Sequence, residues 1–139
     1  MIDQPIIDTH LHLWDPAKLN YRWHQVVTAM NRPFLLPDYR QATKTLPIQS
    51  MVFVQCDCDA HQSRDEVAMV SEFAKTDPRL RGIVAFAALQ RGHEIESELA
   101  WLADQPLVKG VRRITQDEPD PDFCLSENFI AGTRLLAKY

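Results

Sequence analysis

Near the start of the chain, a short apolar run ends in three polar residues with alternate spacing: Asp8, His10 and His12. The run predicts a β-strand, and because strand side chains alternate, all three should point to one side. Two neutral imidazoles on one side can share a metal ion, zinc above all, with each nitrogen roughly 2.0–2.1 Å from the metal. Asp8, deeper along the strand, could orient one ligand. The other interpretation is a pair of histidines on a hydrated loop.

Two further predicted strands also end in residues that could contact a substrate. Arg112 and Arg113 follow one apolar run, and Gln55 ends another. A guanidinium offers paired donors to a carbonyl or carboxylate, and strand alternation favours Arg112 as the inward member, with Arg113 as a further binding candidate. Alternatively, these arginines only pair with Asp117 or Glu118. Gln55 could donate to a substrate hydroxyl or be purely structural.

Aromatic and sulfur-bearing residues give weaker indications. Tyr21 and Trp23 lie in a long segment after the first strand, where their rings could pack on a sugar ring or merely fix the loop. The pair Cys56 and Cys58, close to His61, could be read as a metal site, but a single C-x-C is a weak signal. His24 and His93 are predicted at the surface.

Short apolar runs alternate with segments of helical period along the whole chain. Continuous apolarity predicts buried parallel strands, over 5–10, 50–55, 82–89 and 108–114. Helices are predicted from about Asp38 to Pro47, from Ser63 to Asp77, over Ile95–Leu102 and from Ser126 onward. Ser63 and Glu66 have the spacing of a capping box. The order βαβαβαβα implies a parallel sheet with right-handed crossovers.

The fold class that this order predicts is α/β, as one domain over 1–139. Four βα units in 139 residues would double to about 280, close to the roughly 250 residues of a TIM (β/α)8 barrel. The last predicted helix runs to the end of the sequence without a following strand, so we expect the N-terminal half of such a barrel, truncated after its fourth unit. The alternative is a complete doubly wound sheet, although no glycine-rich phosphate loop is present.

Composition excludes several function classes. The chain is 45% hydrophobic and 24% charged, with a net charge of -4 and scattered basic residues, which argues against nucleic-acid binding. No apolar run approaches the roughly 20 residues of a membrane helix, and no signal peptide is recognisable, so no membrane partner and a cytoplasmic location are predicted. The three cysteines are expected to be free thiols.

The segment IDTHLHLWDP, at 7–16, resembles the opening of the amidohydrolase superfamily in its amidohydrolase-related branch. Within that branch the chain looks most like the sugar-lactone hydrolases of the L-fuconolactonase and L-rhamnono-lactonase type, a group that includes pyrone-dicarboxylate lactonases. The segments YRW at 21–23, RPF at 32–34, VKGVRR at 108–113 and QDEPDPDF at 116–123 agree. The resemblance spans the whole chain but only about half of a family member.

That resemblance implies a distorted TIM barrel that hydrolyses a small cyclic ester, a sugar lactone, by attack of activated water. His10 and His12 match the family's strand-one pair and, with Arg112, are the implied catalytic residues. Metal dependence varies among these lactonases, so zinc is a candidate cofactor only. The water-activating aspartate belongs to strand eight, so the chain alone is expected to be inactive. The alternatives are a metal-dependent decarboxylase of the same superfamily and a non-catalytic half-barrel that pairs with another chain, and a homo-oligomer is allowed.

Overall fold

Residues 4–139 are described by a computed structural model, in which strands and helices alternate. The strands are β1 (Ile6–Leu11), β2 (Ile48–Val54), β3 (Leu80–Phe86) and β4 (Val108–Arg112). The helices are α1 (Leu36–Ala42), α2 (Ser63–Thr76), α3 (Glu96–Ala103) and α4 (Glu127–Leu135), with short 3-10 turns in the connections.

The four strands form one parallel sheet in the order β1-β2-β3-β4. Consecutive strands are therefore neighbours, and right-handed crossovers in one constant direction put every helix on the same face of the sheet. A doubly wound sheet reverses direction and carries helices on both faces. The order confirms the predicted half of a (β/α) barrel and excludes the doubly wound alternative.

The hydrophobic core lies between the sheet and the helices. Met51 and Phe53 of β2 and Ile83 of β3 are fully buried, and they belong to one cluster with Val70 of α2 and Leu99 of α3. The opposite, concave face of the sheet is more open, since Ile7 of β1 has 59% of its surface exposed. The carboxyl ends of all four strands meet at one edge, which is where barrel enzymes place their sites.

The helix ends agree with the sequence in one case and differ in another. At α4 the Ser126 hydroxyl accepts a hydrogen bond from the backbone N–H of Phe129, as its predicted position requires. At α2 the predicted capping box is wrong, because the Glu66 carboxyl accepts instead from the backbone N–H of Cys56, in the turn after β2. Glu66 turns inward because it lies on the same side of α2 as Val67 and Val70, which face the core.

The third strand lies earlier in the chain than predicted, since it begins at Leu80 and ends at Phe86, and the chain then enters a 3-10 segment over Leu89–Ile95. Within residues 4–139, no helix combines the length and the apolarity that crossing a membrane requires.

Candidate active site

The end of β1 contains an irregularity that decides where its polar side chains point. Asp8 is paired with Met51 and Leu11 with Phe53, so three steps along β1 match two along β2. Such a bulge breaks the strict alternation of side chains. Asp8 therefore faces the helix side, where it accepts a hydrogen bond of 2.8 Å from the hydroxyl of Tyr39.

This geometry corrects the expectation that Asp8 shares a side with both histidines. The carboxylate of Asp8 reaches His10 only through the backbone, by accepting a 3.1 Å hydrogen bond from its N–H. His10 and His12 flank Leu11, whose side chain is buried among the core residues. The two imidazoles consequently lie on the opposite, concave face, without a carboxylate from β1 beside them.

The two imidazoles converge through their outer nitrogens. Nε2 of His10 and Nε2 of His12 are 3.1 Å apart, and the rings meet edge to face. Nδ1 of His12 is 2.8 Å from the carbonyl oxygen of Val54, the last residue of β2. A carbonyl only accepts, so Nδ1 carries the proton, and Nε2 of a neutral His12 presents a lone pair.

The surroundings of His12 favour the neutral ring. Burial lowers the pKa of His12 below its ordinary value, and the neighbouring charges of His10 and Arg112 act in the same direction. The hydrogen bond to Val54 opposes these effects without reversing them. A neutral imidazole is the form that ligates a metal or accepts a proton.

A cavity of about 280 Å³ opens beside His12 at the carboxyl ends of the strands. Gln55, Arg112 and Trp23 line it together with His12, so the structure brings four of the predicted site residues to one place. The side chain of Gln55 is fully buried, and its Nε2 has no hydrogen-bond partner among the described residues. A buried donor without a partner is costly, which marks this amide as a candidate donor to a bound ligand.

The two neighbouring arginines have different surroundings. Arg112 lines the cavity, and its Nη1 lies 3.4 Å from the backbone oxygen of Gln55, but no carboxylate within residues 4–139 forms an ion pair with it. Arg113 points elsewhere, where it pairs with Glu118, donates to Gln90 and lies over the ring of Phe123. The structure therefore separates Arg113 from the cavity.

The two aromatic candidates are separated as well. Trp23 lines the cavity and its indole N–H donates to the backbone oxygen of Cys56 at 2.8 Å. Tyr21 does not line this cavity, because its ring is buried against Trp23 and His24. His24 is only 6% exposed, so its predicted surface position is wrong, whereas His93 is exposed as predicted. His24 is buried because this loop folds back over Trp14.

Several cavity residues were not anticipated as site residues. Trp14, Met30, Asp57 and Gln116 all line the cavity beside His12. Trp14 and Gln116 lie within the segments that carry the family resemblance, which was an available signal. No sequence signal pointed to Met30 and Asp57. Both lie in loops, where the path of the chain decides which residues reach the cavity and no periodic pattern predicts it.

The described residues contain no cluster of three or more histidine, cysteine, aspartate or glutamate side chains arranged for a metal. The C-x-C segment accordingly forms no such cluster; Asp59 beside it pairs with Arg22 at 2.8 Å. Burial raises the pKa of the Cys56 thiol, and it raises that of Cys58 to about 12, so both stay protonated at neutral pH. The histidine pair is thus the principal candidate for metal contact, with two protein ligands.

Solved structures of amidohydrolases share this arrangement of strands and helices. An amidohydrolase from Burkholderia multivorans, solved with bound zinc, superposes with a TM-score of 0.73 at 24% identity over 95% of this chain. Amidohydrolase 2 from Bifidobacterium longum subsp. infantis gives 0.68 at 18% identity over 96% of the chain. A probable 2-pyrone-4,6-dicarboxylic acid hydrolase from Acinetobacter baumannii, solved with citric acid bound, gives 0.61 at 17% over 95%.

The chain shares the fold of about half of each of these barrels. It covers 45% of the Burkholderia and Acinetobacter chains and 48% of the Bifidobacterium chain, so it spans about half the length of each. No protein-family model matches the chain, and neither does any curated protein. At these identities the likeness concerns the fold.

Proposed function

We propose that this chain supplies half of the active site of an amidohydrolase-type hydrolase that opens a small cyclic ester, with sugar lactones as the substrate class. The observation that carries the proposal is the convergence of the His10–His12 pair with Gln55 and Arg112 at the carboxyl edge of the sheet. The resemblance of the segment at 7–16 to lactonases and the shared fold support it.

The histidine pair fits a zinc ion. Two nitrogens at about 2.0–2.1 Å from a tetrahedral zinc are roughly 3.3 Å apart, close to the 3.1 Å between the two Nε2 atoms. The Nδ1 contact of His12 with Val54 fixes the tautomer that leaves Nε2 free, which is the usual arrangement of a ligating histidine. When bound, zinc would act as a Lewis acid toward the ester carbonyl.

The remaining cavity residues suit recognition of a small oxygen-rich ring. Arg112 offers a cation that no carboxylate within residues 4–139 pairs with, and Gln55 offers a buried N–H donor without a partner among the same residues. These groups can bind the carbonyl, a hydroxyl or a carboxylate of the substrate and stabilise negative charge that develops on an oxygen. The rings of Trp14 and Trp23 line the same cavity, and an aromatic face packs well on a sugar ring.

The test joins residues 1–139 to the remaining half of the Burkholderia multivorans barrel and measures proton release at neutral pH with a panel of five-membered aldonolactones. We expect hydrolysis, and His10→Ala or Arg112→Ala should each lower kcat/KM at least about tenfold, which is roughly 1.4 kcal/mol of transition-state stabilisation. The water-activating carboxylate that the resemblance implies belongs to a later strand than the four described here. The 139-residue chain alone should therefore show no turnover.

Matched controls are available on exposed surfaces. His93→Ala and Arg81→Ala remove the same side chains from exposed positions outside the cavity and should leave kcat/KM unchanged. A folded fusion that hydrolyses no lactone, or one whose hydrolysis is indifferent to His10→Ala and Arg112→Ala, would refute the proposed function.

A further inference from the structure

Glu66 is a buried carboxylic acid that the proposed chemistry leaves unused. It lies in the first turns of α2, on the core side, and is only 1% exposed. No lysine, arginine or histidine within the described part of the chain forms an ion pair with it, in contrast to the buried Asp77, which has two arginine partners. Burying an acid without a cation is costly. Its position therefore calls for a specific role.

The single hydrogen bond found for Glu66 goes to the turn that follows β2. Its Oε1 accepts from the backbone N–H of Cys56 at 3.0 Å. The carbonyl of Cys56 accepts from the Trp23 indole at 2.8 Å, and its Sγ lies 3.4 Å from the backbone oxygen of Leu13. Groups from α2, from the long loop and from the end of β1 thus hold Cys56 on three sides.

The residue that follows Cys56 has an unusual backbone conformation. Asp57 has a φ of +57°, the one positive value among the non-glycine residues described, and such a backbone costs of order 1 kcal/mol or more. Its N–H donates to Oε1 of Gln55 at 2.5 Å. That bond occupies the oxygen of the Gln55 amide, and the buried Nε2 has no hydrogen-bond partner among the described residues.

We infer that Glu66 is a positioning residue: by accepting from Cys56 N–H it holds the Gln55–Asp57 turn in its strained form, and the turn presents Gln55 Nε2 as a fixed donor to the bound substrate. Glu66 touches neither the cavity nor a reacting atom, so it acts through the turn. The assignment of the donor to a substrate rests on the proposed function, whereas the link from Glu66 to Gln55 does not.

Two substitutions separate positioning from simple packing. Glu66→Gln keeps the size and an acceptor oxygen, and Glu66→Leu keeps an approximate volume without any acceptor. In the 139-residue chain, proton-detected NMR should show Cys56 amide exchange at least tenfold faster in Glu66→Leu, relative to the amides of Phe53 and Val54. The two Gln55 side-chain amide protons should also lose their separate shifts. Glu66→Gln should retain both signatures.

A titration of the unaltered chain tests the same link without any risk of misfolding. Burial raises the pKa of Glu66 to about 7, so the Cys56 amide and the Gln55 side-chain amide should shift together with a midpoint near that pH. The other ionisable groups around Glu66 are Tyr21, Cys56, Cys58 and Asp57, and burial raises the pKa values of the phenol and both thiols far above neutrality.

His12 is a further titratable group near the turn, since its Nδ1 lies 3.6 Å from Cys56 Sγ, and burial lowers its pKa below the ordinary value. Glu66→Gln removes the titrating carboxyl of Glu66 and leaves the imidazole of His12 unchanged. The midpoint should therefore disappear in Glu66→Gln. A midpoint that survives, Gln55 signals that do not titrate, or Glu66→Leu with unchanged Cys56 exchange and Gln55 shifts would each overturn the inference. Because no turnover is measured, failure of lactone hydrolysis leaves these outcomes untouched.

Discussion

The two Nε2 atoms of His10 and His12 lie 3.1 Å apart, so at most one of them carries a proton between them. Val54 fixes the proton of His12 on Nδ1, which turns its Nε2 into an acceptor. A proton on His10 or a metal ion can then occupy the space between the rings. The pair is a preformed two-nitrogen site. Because burial lowers the pKa of His12, its imidazole is favoured in the neutral form, which can bind a cation.

The affinity of this pair for zinc follows from its ligand count. Complete zinc sites use three or four protein ligands, so two imidazoles in the 139-residue chain should bind zinc with a Kd in the micromolar range or weaker. His10→Ala should weaken binding at least tenfold, and His93→Ala, on an exposed turn, should not change it. Isothermal titration with zinc at pH 7 measures all three. Submicromolar binding that survives His10→Ala would place the metal elsewhere.

A second charged residue, Asp77, matters for stability rather than chemistry. It is buried just after α2 and accepts hydrogen bonds from Arg40 Nε at 3.0 Å and from Arg79 Nη2 at 2.7 Å. The hydrogen bonds from Arg79, more than the single one from Arg40, hold the pKa of this carboxyl well below its usual range. Its pKa is lower in the folded than in the unfolded chain. Its stabilising contribution is therefore present above about pH 4 and is lost as the pH falls.

Asp77→Asn should accordingly reduce the free energy of unfolding at pH 7 by about 2 kcal/mol, because two arginines lose their shared anion while staying partly solvated. The difference from the unaltered chain should shrink below pH 4. The control is Glu72→Gln, which breaks the exposed ion pair with Lys75 and should change stability by less than about 0.5 kcal/mol. Urea unfolding from pH 3 to pH 7 measures both; equal effects of the two substitutions would count against this account.

The helix α4 packs closely against the 3-10 segment after β3. Gly132 of α4 is buried, and a Cβ added there would overlap the carbonyl oxygen of Leu89. Backbone atoms on both sides leave no flexible side chain to move aside. The glycine is thus required by the close approach of two backbones. This contact anchors the last helix, which follows the loop containing Gln116 on the rim of the cavity.

Gly132→Ala should destabilise the chain by about 1–3 kcal/mol, although alanine alone would favour a helix by about 1 kcal/mol. Gly110→Ala provides the matched control, because a Cβ at Gly110 of β4 meets nothing within 4 Å. That variant should stay within about 0.5 kcal/mol of the unaltered chain. Urea midpoints by circular dichroism distinguish them. A stabilising Gly132→Ala would show that α4 does not lie where the structure has it.

The strands and helices could be predicted from the sequence, but local irregularities within them, such as a bulge or a helix cap, could not. All four strands and four helices follow from apolar runs and helical spacing, because those patterns record which face is buried. The bulge in β1 left no trace, so Asp8 was assigned to the wrong face. The capping box was wrong for a similar reason: the spacing of Ser63 and Glu66 is local, whereas the hydrogen bond of Glu66 to Cys56 depends on how α2 packs on the sheet.

At the scale of the molecule, the sheet resembles one side of an open barrel. Both outer strands, β1 and β4, carry unpaired backbone groups along one edge, and the concave face that a complete barrel would fill is accessible. Strand order was predictable because four consecutive right-handed crossovers allow few arrangements. Within residues 4–139, the cavity is lined by residues at the ends of β1, β2 and β4 and by the loops that follow them. The chemistry proposed here also needs groups from the opposite side of a complete barrel.

Open strand edges and an exposed apolar face favour association of the 139-residue chain. Ile7 belongs to both, since it lies on an edge strand and on the open face. It belongs to the edge strand β1, it is paired with Ser50 on the concave side, and it is 59% exposed. A lysine at such a position opposes pairing of strand edges. We therefore expect a weight-average mass that rises above 16.0 kDa with concentration for the unaltered chain and remains near it for Ile7→Lys.

Val26→Lys is the control, because Val26 is 86% exposed in a loop and the substitution changes the net charge equally. Sedimentation velocity over a hundredfold range of concentration measures the mass, with circular dichroism to verify that each variant is folded. Equal masses for Ile7→Lys and Val26→Lys would mean that the edge of β1 does not drive association. An unaltered chain that stays monomeric at every concentration would contradict the expectation that the open edge and the exposed Ile7 cause association.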